Sequence, residues 1–148
     1  MEGQQKTADN LESLSLRHLK AARAIADHGG VTTAANSLNR SQSALTKALG
    51  ELESQLATRL FDRSSRGMVP TPKGDAFIRR IREAEAQFAA AEAIYRAHAR
   101  GKHSAQRNPV FTLDISRKRL AAFLTLHETR DVLAAAERLG QTRAAVYS

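Results

Sequence analysis

The feature that most constrains the fold is a pair of short amphipathic helices joined by a tight turn, between Val31 and Lys47. The segment is VTTAANSLNRSQSALTK. Small apolar residues recur on one side of its first half and leucines on one side of its second half. Asn39-Arg40 lies between them, and asparagine tolerates the left-handed backbone that a tight turn needs. The pattern predicts a helix-turn-helix and therefore a mainly α-helical fold.

Start and stop signals place the helix boundaries. Apolar residues at three-residue steps predict a preceding helix from Leu16, and the Gly-Gly pair at 29–30 ends it. Thr32 is predicted to cap the second helix, which then covers residues 33–38. Ser41 is predicted to cap the third helix in the same way.

The third helix carries the side chains that indicate a nucleic-acid partner. Its inward positions form one apolar stripe: Leu45, Leu49, Leu52 and Leu56. Its opposite side presents Gln42, Ser43, Thr46 and Lys47. Short hydrogen-bonding groups suit contacts with base edges in the DNA major groove, where glutamine can bond adenine through two hydrogen bonds. The alternative is an ordinary solvated face.

A β-hairpin is predicted after the third helix. Residues 60–61 and 68–69 form two short strands, and Ser65-Arg66-Gly67 is the turn between them. Such a hairpin would be a wing that lays Arg63 and Arg66 along a phosphate strand or into the minor groove. The alternative is a solvent loop with two unpaired arginines.

A long helix follows, with Thr71 as its cap and Pro72 at its first position. Along it, residues at alternating steps of four and three form a heptad seam: Phe77, Ile81, Ala84, Phe88, Ala91, Tyr95 and His98. The seam predicts a homodimer through residues 72–100, with contacts from Phe77, Ile81, Phe88 and Tyr95. The alternative is that this helix folds back on its own domain.

The chain then begins the first motif a second time. The aligned pairs include Leu120 with Leu19, Val132 with Val31, Ala135-Ala136 with Ala34-Ala35 and Thr142 with Ser41. Among the positions at which the copies differ, Gln141, Arg143 and Tyr147 replace Arg40, Gln42 and Thr46. The second copy would therefore contact different bases. The second copy stops about two turns into its third helix, so this tail is expected to be poorly stable. The chain would then be either a fragment of a longer product or the product of a truncated reading frame.

Together these patterns predict a winged helix-turn-helix with a small β-hairpin wing, a long dimerisation helix and an incomplete second helix-turn-helix. Residues 1–14 are expected to be a disordered arm, 15–70 the winged DNA-binding domain and 71–100 the dimerisation helix. Residues 101–112 are expected to be a linker, and 113–148 the partial second motif.

Composition narrows the function classes. The chain has 148 residues, with 23 Lys+Arg against 15 Asp+Glu and a net charge of +8, which favours a polyanionic partner. It has no Cys, which excludes disulfides and thiolate metal sites. No signal peptide and no apolar run of about 20 residues is visible, so a cytoplasmic protein is expected. His98 and His103 do not share a helical face, and no carboxylate cluster accompanies them. No glycine-rich phosphate loop is visible either, so an enzyme, a metal site or a cofactor is not expected.

The motifs taken together resemble the DNA-binding end of LysR-type transcriptional regulators over residues 16–100. The resemblance is carried by AANSLNRSQSALTKALGELESQL, LFDRSSRGMVPTPKGDAF and the Ala-rich helix that follows. It implies a winged helix-turn-helix that binds imperfect promoter palindromes as a dimer. It also implies base contacts by Gln42, Ser43, Thr46 and Lys47, and phosphate contacts by Thr32, Ser41, Arg63 and Arg66.

The chain departs from the family pattern at Ala57, where glycine is usual, at Gly50 inside the third helix and at Pro70. If the backbone at Ala57 is left-handed, alanine costs about 1 kcal/mol there. The family's effector-binding domain is absent, so no small-molecule effector is expected. The prediction is a bacterial, nucleoid-associated, sequence-specific transcription regulator bound to double-stranded DNA. The alternatives are a truncated regulator that acts by heterodimerisation, and a nonspecific DNA-binding protein.

Overall fold

The computed structural model describes residues 15–65, 67–98 and 112–147. The chain divides into two units, the first ending at Leu113 and the second beginning at Asp114. The predicted arm, nearly all of the predicted linker, His103 and Arg66 lie outside the described residues. None of the helices described is both long enough and apolar enough to span a bilayer.

The described residues of unit 1 form four helices and one hairpin. The elements are α1 (Leu16–His28), α2 (Val31–Ser37), α3 (Gln42–Gln55), β1 (Phe61–Ser64), β2 (Gly67–Pro70) and α4 (Pro72–His98). The two strands are antiparallel, with Phe61 opposite Pro70 and Ser64 opposite Gly67. The predicted mainly helical fold with a hairpin is confirmed. Both strands are longer than predicted because the pairing continues to Ser64 on one side and Pro70 on the other.

The start of α2 differs from the prediction. Gly29 has a left-handed backbone with φ 65° and ends α1 as predicted. The next residue, Gly30, is the N-cap of α2 and has an extended backbone, so the helix begins at Val31. The prediction that Thr32 caps this helix is wrong, because Thr32 already lies in its first turn. The neighbouring Thr33 hydroxyl instead donates to the Gly30 carbonyl at 3.1 Å.

The turn between α2 and α3 follows the prediction. Asn39 has a φ of 51°, in the left-handed region that asparagine tolerates. The Arg40 N–H donates to the Ala35 carbonyl oxygen at 2.9 Å and closes the turn. The Ser41 hydroxyl accepts from the Ala44 N–H at 3.2 Å and caps α3, as predicted.

The core of unit 1 takes residues from every helix and from the entry to the hairpin. Its fully buried members with the largest side chains are Ile25, Leu52, Leu60, Phe61 and Ile78. Ala34 and Ala35 of α2 are also buried, and their small side chains allow α2 to approach its neighbours closely. Leu45, Leu49 and Leu52 form the predicted buried side of α3, whereas the fourth predicted residue, Leu56, is the C-cap and is only partly buried against the same core. Each such side chain stabilises the fold by about 1.5–3 kcal/mol, so α3 is held firmly along this side.

Ala57 lies in the left-handed region, with a φ of 47°. Around it the Thr58 N–H donates to the Glu53 carbonyl at 3.0 Å and the Ala57 N–H to the Ser54 carbonyl at 3.1 Å. This is the Schellman arrangement, in which glycine is favoured at the position that Ala57 holds.

We expect Ala57→Gly to raise the free energy of unfolding by about 1 kcal/mol, because the left-handed backbone then carries no Cβ penalty. Urea unfolding followed by circular dichroism measures the change. Ala84→Gly is the matched control, because Ala84 lies exposed within α4. The control substitution should lower the free energy of unfolding by about 1 kcal/mol. Equal losses in both variants would refute the assignment of strain to Ala57.

Unit 2 contains α5 (Arg117–Thr129), α6 (Val132–Arg138) and α7 (Arg143–Tyr147). Its buried side chains are small: Ala122, Ala135 and Ala136 are each at most 7% exposed. Larger apolar residues of this unit, among them Phe123 at 52% and Leu133 at 46%, are exposed.

Candidate nucleic-acid interface

The polar face of α3 is exposed over its first two turns. Gln42, Ser43, Thr46 and Lys47 all lie on this face, opposite the buried leucines. The structure therefore brings together the four side chains that sequence reasoning selected for base contacts. Because α3 is anchored by its leucines, the face is presented on a rigid element.

Two of these side chains already make hydrogen bonds within α3. The Thr46 hydroxyl donates to the Gln42 carbonyl at 2.9 Å, which leaves its oxygen able to accept. The Ser43 hydroxyl lies 3.1 Å from that of Ser41. The Gln42 side-chain amide offers both a donor and an acceptor, the pair needed to recognise adenine.

Lys47 forms a weak pair with Glu51, one turn along α3. The distance from Lys47 Nζ to Glu51 Oε1 is 3.7 Å, and the Lys47 side chain is 78% exposed. The other Glu51 oxygen lies 3.1 Å from His18 Nε2, so the carboxylate also links α3 to α1. An exposed pair of this kind contributes at most about 1 kcal/mol, so Lys47 can exchange Glu51 for a base edge at little cost.

The wing is docked against the turn that ends α1. The Met68 N–H donates to the Gly29 carbonyl at 2.8 Å. Gly67 has a φ of 105°, and a Cβ built on it would lie 2.3 Å from the Gly29 oxygen. Only glycine fits this approach. The bond holds the hairpin at a set distance from the helix pair, with Arg63 exposed on β1.

Glu53 ties α3 to the start of the hairpin, a role that sequence reasoning missed. Its Oε1 accepts from the Leu60 N–H at 2.6 Å and from the Phe61 N–H at 3.2 Å. Both peptide groups belong to buried residues, so without Glu53 their N–H groups would lack a partner. The acidic residue near the end of α3 was the available signal, but nothing in the sequence showed which backbone groups it meets.

The junction between the wing and α4 leaves no room for a side chain at Gly74. The Thr71 hydroxyl accepts from the Gly74 N–H at 3.0 Å and donates to the Arg59 carbonyl at 2.9 Å, so Thr71 caps α4 as predicted. The Thr71 N–H donates to the Leu60 carbonyl at 2.9 Å. A Cβ on Gly74 would lie 1.9 Å from that same carbonyl oxygen. The first turn of α4 therefore packs directly on the backbone that begins the wing.

An ion-pair cluster holds α4 against the end of α1. The Arg82 guanidinium lies 2.8 Å from Asp27, and Arg23 contacts the same carboxylate. Partial burial raises the pKa of the Asp27 carboxyl, but the hydrogen bond from Arg82 and the charge of Arg23 outweigh it, so the pKa lies below its ordinary value. The carboxylate remains charged at neutral pH and keeps both arginines in place.

The heptad seam predicted along α4 is wrong in its first half. Ile81 is 3% exposed and belongs to the core of unit 1, together with Ile78, which the seam omits. Phe77 and Phe88 are half-buried against the same core. These residues face their own unit because α1 covers that side of α4. Tyr95, the remaining predicted contact, lies near the end of α4 and is half-buried.

A different side of α4 is apolar and exposed. We call it the alanine face; its residues are Ala86, Ala90, Ala93, Ile94 and Ala97. The alanines recur at steps of four, three and four, so they line one side of the helix. Ile94 is 63% exposed and is the largest side chain of the group. Sequence reasoning missed this face because its alanines are less apolar than the phenylalanines and isoleucines beside them.

Part of the sequence of unit 1 is similar to a known protein family. The model of the bacterial regulatory helix-turn-helix proteins of the lysR family matches residues 16–75. The transcriptional regulator SyrM of Rhizobium etli is 39% identical over 72 residues, which are 49% of this chain and 21% of that protein. GalR of Pseudomonas putida is 29% identical over 137 residues, 93% of this chain, so its similarity extends into unit 2.

The chain covers 21% of SyrM and 32% of GalR, a fraction of the length of these curated relatives. Among solved structures, the DNA-binding domain of CbnR in complex with DNA is similar at a TM-score of 0.53 and 33% identity, over 59% of this chain and 100% of that one. The DNA-binding domain of BenM with benA site 1 DNA is similar at a TM-score of 0.55 and 27% identity, over 58% and 100%.

Proposed function

Residues 16–75 form a helix-turn-helix domain of the LysR family, and on this basis we propose that the chain is a sequence-specific, DNA-binding transcription regulator. The observation that carries the proposal is the exposed polar face of α3, held at a set distance from the wing by the bonds of Glu53 and Gly29. The similar CbnR and BenM domains are bound to DNA, and the curated relatives are named transcriptional regulators. Both facts support the proposal.

Each side chain of the predicted site has a role in this proposal. Gln42, Ser43, Thr46 and Lys47 contact base edges in the major groove, with Gln42 on adenine. Thr32, Ser41, Arg63 and Arg66 contact phosphates, which sets the position of α3 in the groove but carries no sequence information. The activity is binding, and the proposal assigns the chain neither catalysis nor a cofactor. A protein that acts on bacterial promoters works in the cytoplasm, at the nucleoid.

A dimer through α4 is part of the proposal, with the alanine face as its interface. Ile81 is engaged in unit 1, so the predicted seam does not supply the contact. The alanine face is exposed, apolar and continuous over three turns of a helix that is 27 residues long. Two copies of this face would pack closely because alanine side chains are small. A symmetric pair of units then fits a two-fold symmetric DNA site.

Gln42→Ala and Arg63→Ala separate the two kinds of contact. We expect Gln42→Ala to relax specificity at one or two base positions, reducing discrimination there by about 1–3 kcal/mol. Arg63→Ala should weaken binding to all sequences by a similar factor. It should also reduce the number of counterions released on binding by about one, which is read from the salt dependence of the affinity. Fluorescence anisotropy on a set of duplexes, each with one base pair changed, measures both effects. An equal loss on every duplex for Gln42→Ala would refute the base-contact assignment.

A further inference from the structure

Unit 2 repeats the helix boundaries of unit 1 without a gap. Helices α5, α6 and α7 begin at 117, 132 and 143, and α1, α2 and α3 begin at 16, 31 and 42, a constant shift of 101 residues. The ends of α5 and α6 keep the same shift from the ends of α1 and α2. Unit 2 is therefore a second helix-turn-helix in structure as well as in sequence pattern.

The turn before α7 has the same backbone geometry as the turn before α3. Gly140 has a φ of 60°, and Asn39 at the matching position of unit 1 has a φ of 51°. The next N–H, that of Gln141, donates to the Ala136 carbonyl at 2.9 Å, and the matching bond in unit 1 is also 2.9 Å long. These bonds set the direction in which the third helix leaves the second.

The cap of the third helix is also repeated. The Thr142 hydroxyl accepts from the Ala145 N–H at 3.3 Å, and the matching bond of Ser41 in unit 1 is 3.2 Å long. Arg143 follows the cap and is exposed, at the place that Gln42 holds on α3. Another exposed arginine of unit 2, Arg138, is instead paired with Glu128 at 3.0 Å.

We propose that unit 2 is a second DNA-binding site, in which Arg143 at the start of α7 contacts guanine in the major groove. The planar guanidinium matches the O6 and N7 acceptors of guanine through two hydrogen bonds. Gln42 suits adenine instead, so the two units recognise different base sequences. The site goes beyond the proposed function of unit 1, since it concerns residues outside that domain.

Unit 2 binds DNA more weakly than unit 1. Leu133 stands where unit 1 has Thr32, so the phosphate contact proposed for Thr32 has no counterpart. Residues 114–148 carry six Lys/Arg against four Asp/Glu, a modest excess that limits binding through charge alone. The exposed Phe123 and Leu133 lie on α5 and α6, not on α7. These two side chains offer a surface for a protein partner. A selection experiment distinguishes a protein partner from DNA as the ligand of unit 2.

The test is a selection from a random-sequence duplex library at physiological salt, with the full chain and three variants. Arg143→Ala removes the proposed contact. Arg143→Lys keeps the charge but loses the two-bond geometry. Arg117→Ala removes an exposed charge of the same unit on α5 and serves as the matched control. Circular dichroism on each variant checks that the helix content is unchanged.

The wild-type chain should enrich a motif with a guanine-containing block that Gln42→Ala leaves intact. Arg143→Ala and Arg143→Lys should each reduce the preference for that guanine by about 10- to 100-fold, and Arg117→Ala should leave the motif unchanged. A motif that is identical in wild type and Arg143→Ala would overturn the second site and favour a protein partner for unit 2. The proposed function of unit 1 is tested separately by Gln42→Ala. If that substitution alters the motif, the proposed function of unit 1 is supported even when Arg143→Ala has no effect.

Discussion

Gly74→Ala is expected to lower the free energy of unfolding of unit 1 by about 3 kcal/mol, the upper end of the cost of overpacking. The new methyl group would lie 1.9 Å from the Leu60 carbonyl oxygen and 2.8 Å from its carbon, both of them backbone atoms. Neither can move as a flexible side chain would, so α4 has to shift away from the wing. The bond from the Thr71 N–H to the Leu60 carbonyl would be strained or lost.

Urea unfolding measures this loss, and Gly50→Ala is its matched control. Gly50 lies within α3, and a Cβ built there meets no atom within 4 Å. The control substitution should therefore raise the free energy of unfolding by about 1 kcal/mol, because alanine has a higher helix propensity than glycine. The same substitution thus has opposite signs at two glycines. A Gly74→Ala protein as stable as the wild type would show that α4 does not pack on the Leu60 backbone.

Ile94→Glu is expected to convert the proposed dimer to monomers and to weaken binding to a two-fold symmetric DNA site by about 100-fold or more. The carboxylate would enter an apolar interface without a partner, which is unfavourable. A monomer engages one half-site at a time and loses the gain in effective concentration that a linked pair provides. Sedimentation gives the mass of each species, against 16.2 kDa for one chain.

Ala84→Glu is the control for the added charge, because Ala84 is exposed on α4 but lies off the alanine face. It should leave the mass unchanged. Phe88→Glu, which the predicted seam would single out, should instead lower stability, since Phe88 packs against the core of unit 1. A wild-type chain that is monomeric, or an Ile94→Glu chain with the wild-type mass, would rule out the alanine face as the interface.

Sequence reasoning succeeded where the information is local. The leucine stripe of α3 and the caps Ser41 and Thr71 each depend on residues within a few positions of one another, and all three are confirmed. The local prediction failed at Thr32 because threonine is a good cap in general, while the extended Gly30 allows the helix to start without a side-chain cap.

The contacts that sequence reasoning missed all join distant parts of the chain. Gly74 meets the Leu60 backbone, Gly67 meets Gly29, and Glu53 bonds two N–H groups of the hairpin entry. The burial of Ile81 has the same origin, because the seam is a property of α4 alone, whereas its burial depends on where α1 lies. Such contacts position the wing and α4, so they determine the geometry of the proposed DNA-binding face.

Sequence-specific binding is tested most directly by mixing the full chain with fragmented genomic DNA from its source organism. The mixture is washed at physiological salt, and the retained fragments are sequenced. A dimer that contacts bases through α3 should enrich fragments that share a two-fold symmetric motif. Retention of fragments with no shared motif would contradict base recognition and indicate nonspecific binding. Retention of no DNA would contradict DNA binding itself and favour a role in heterodimerisation.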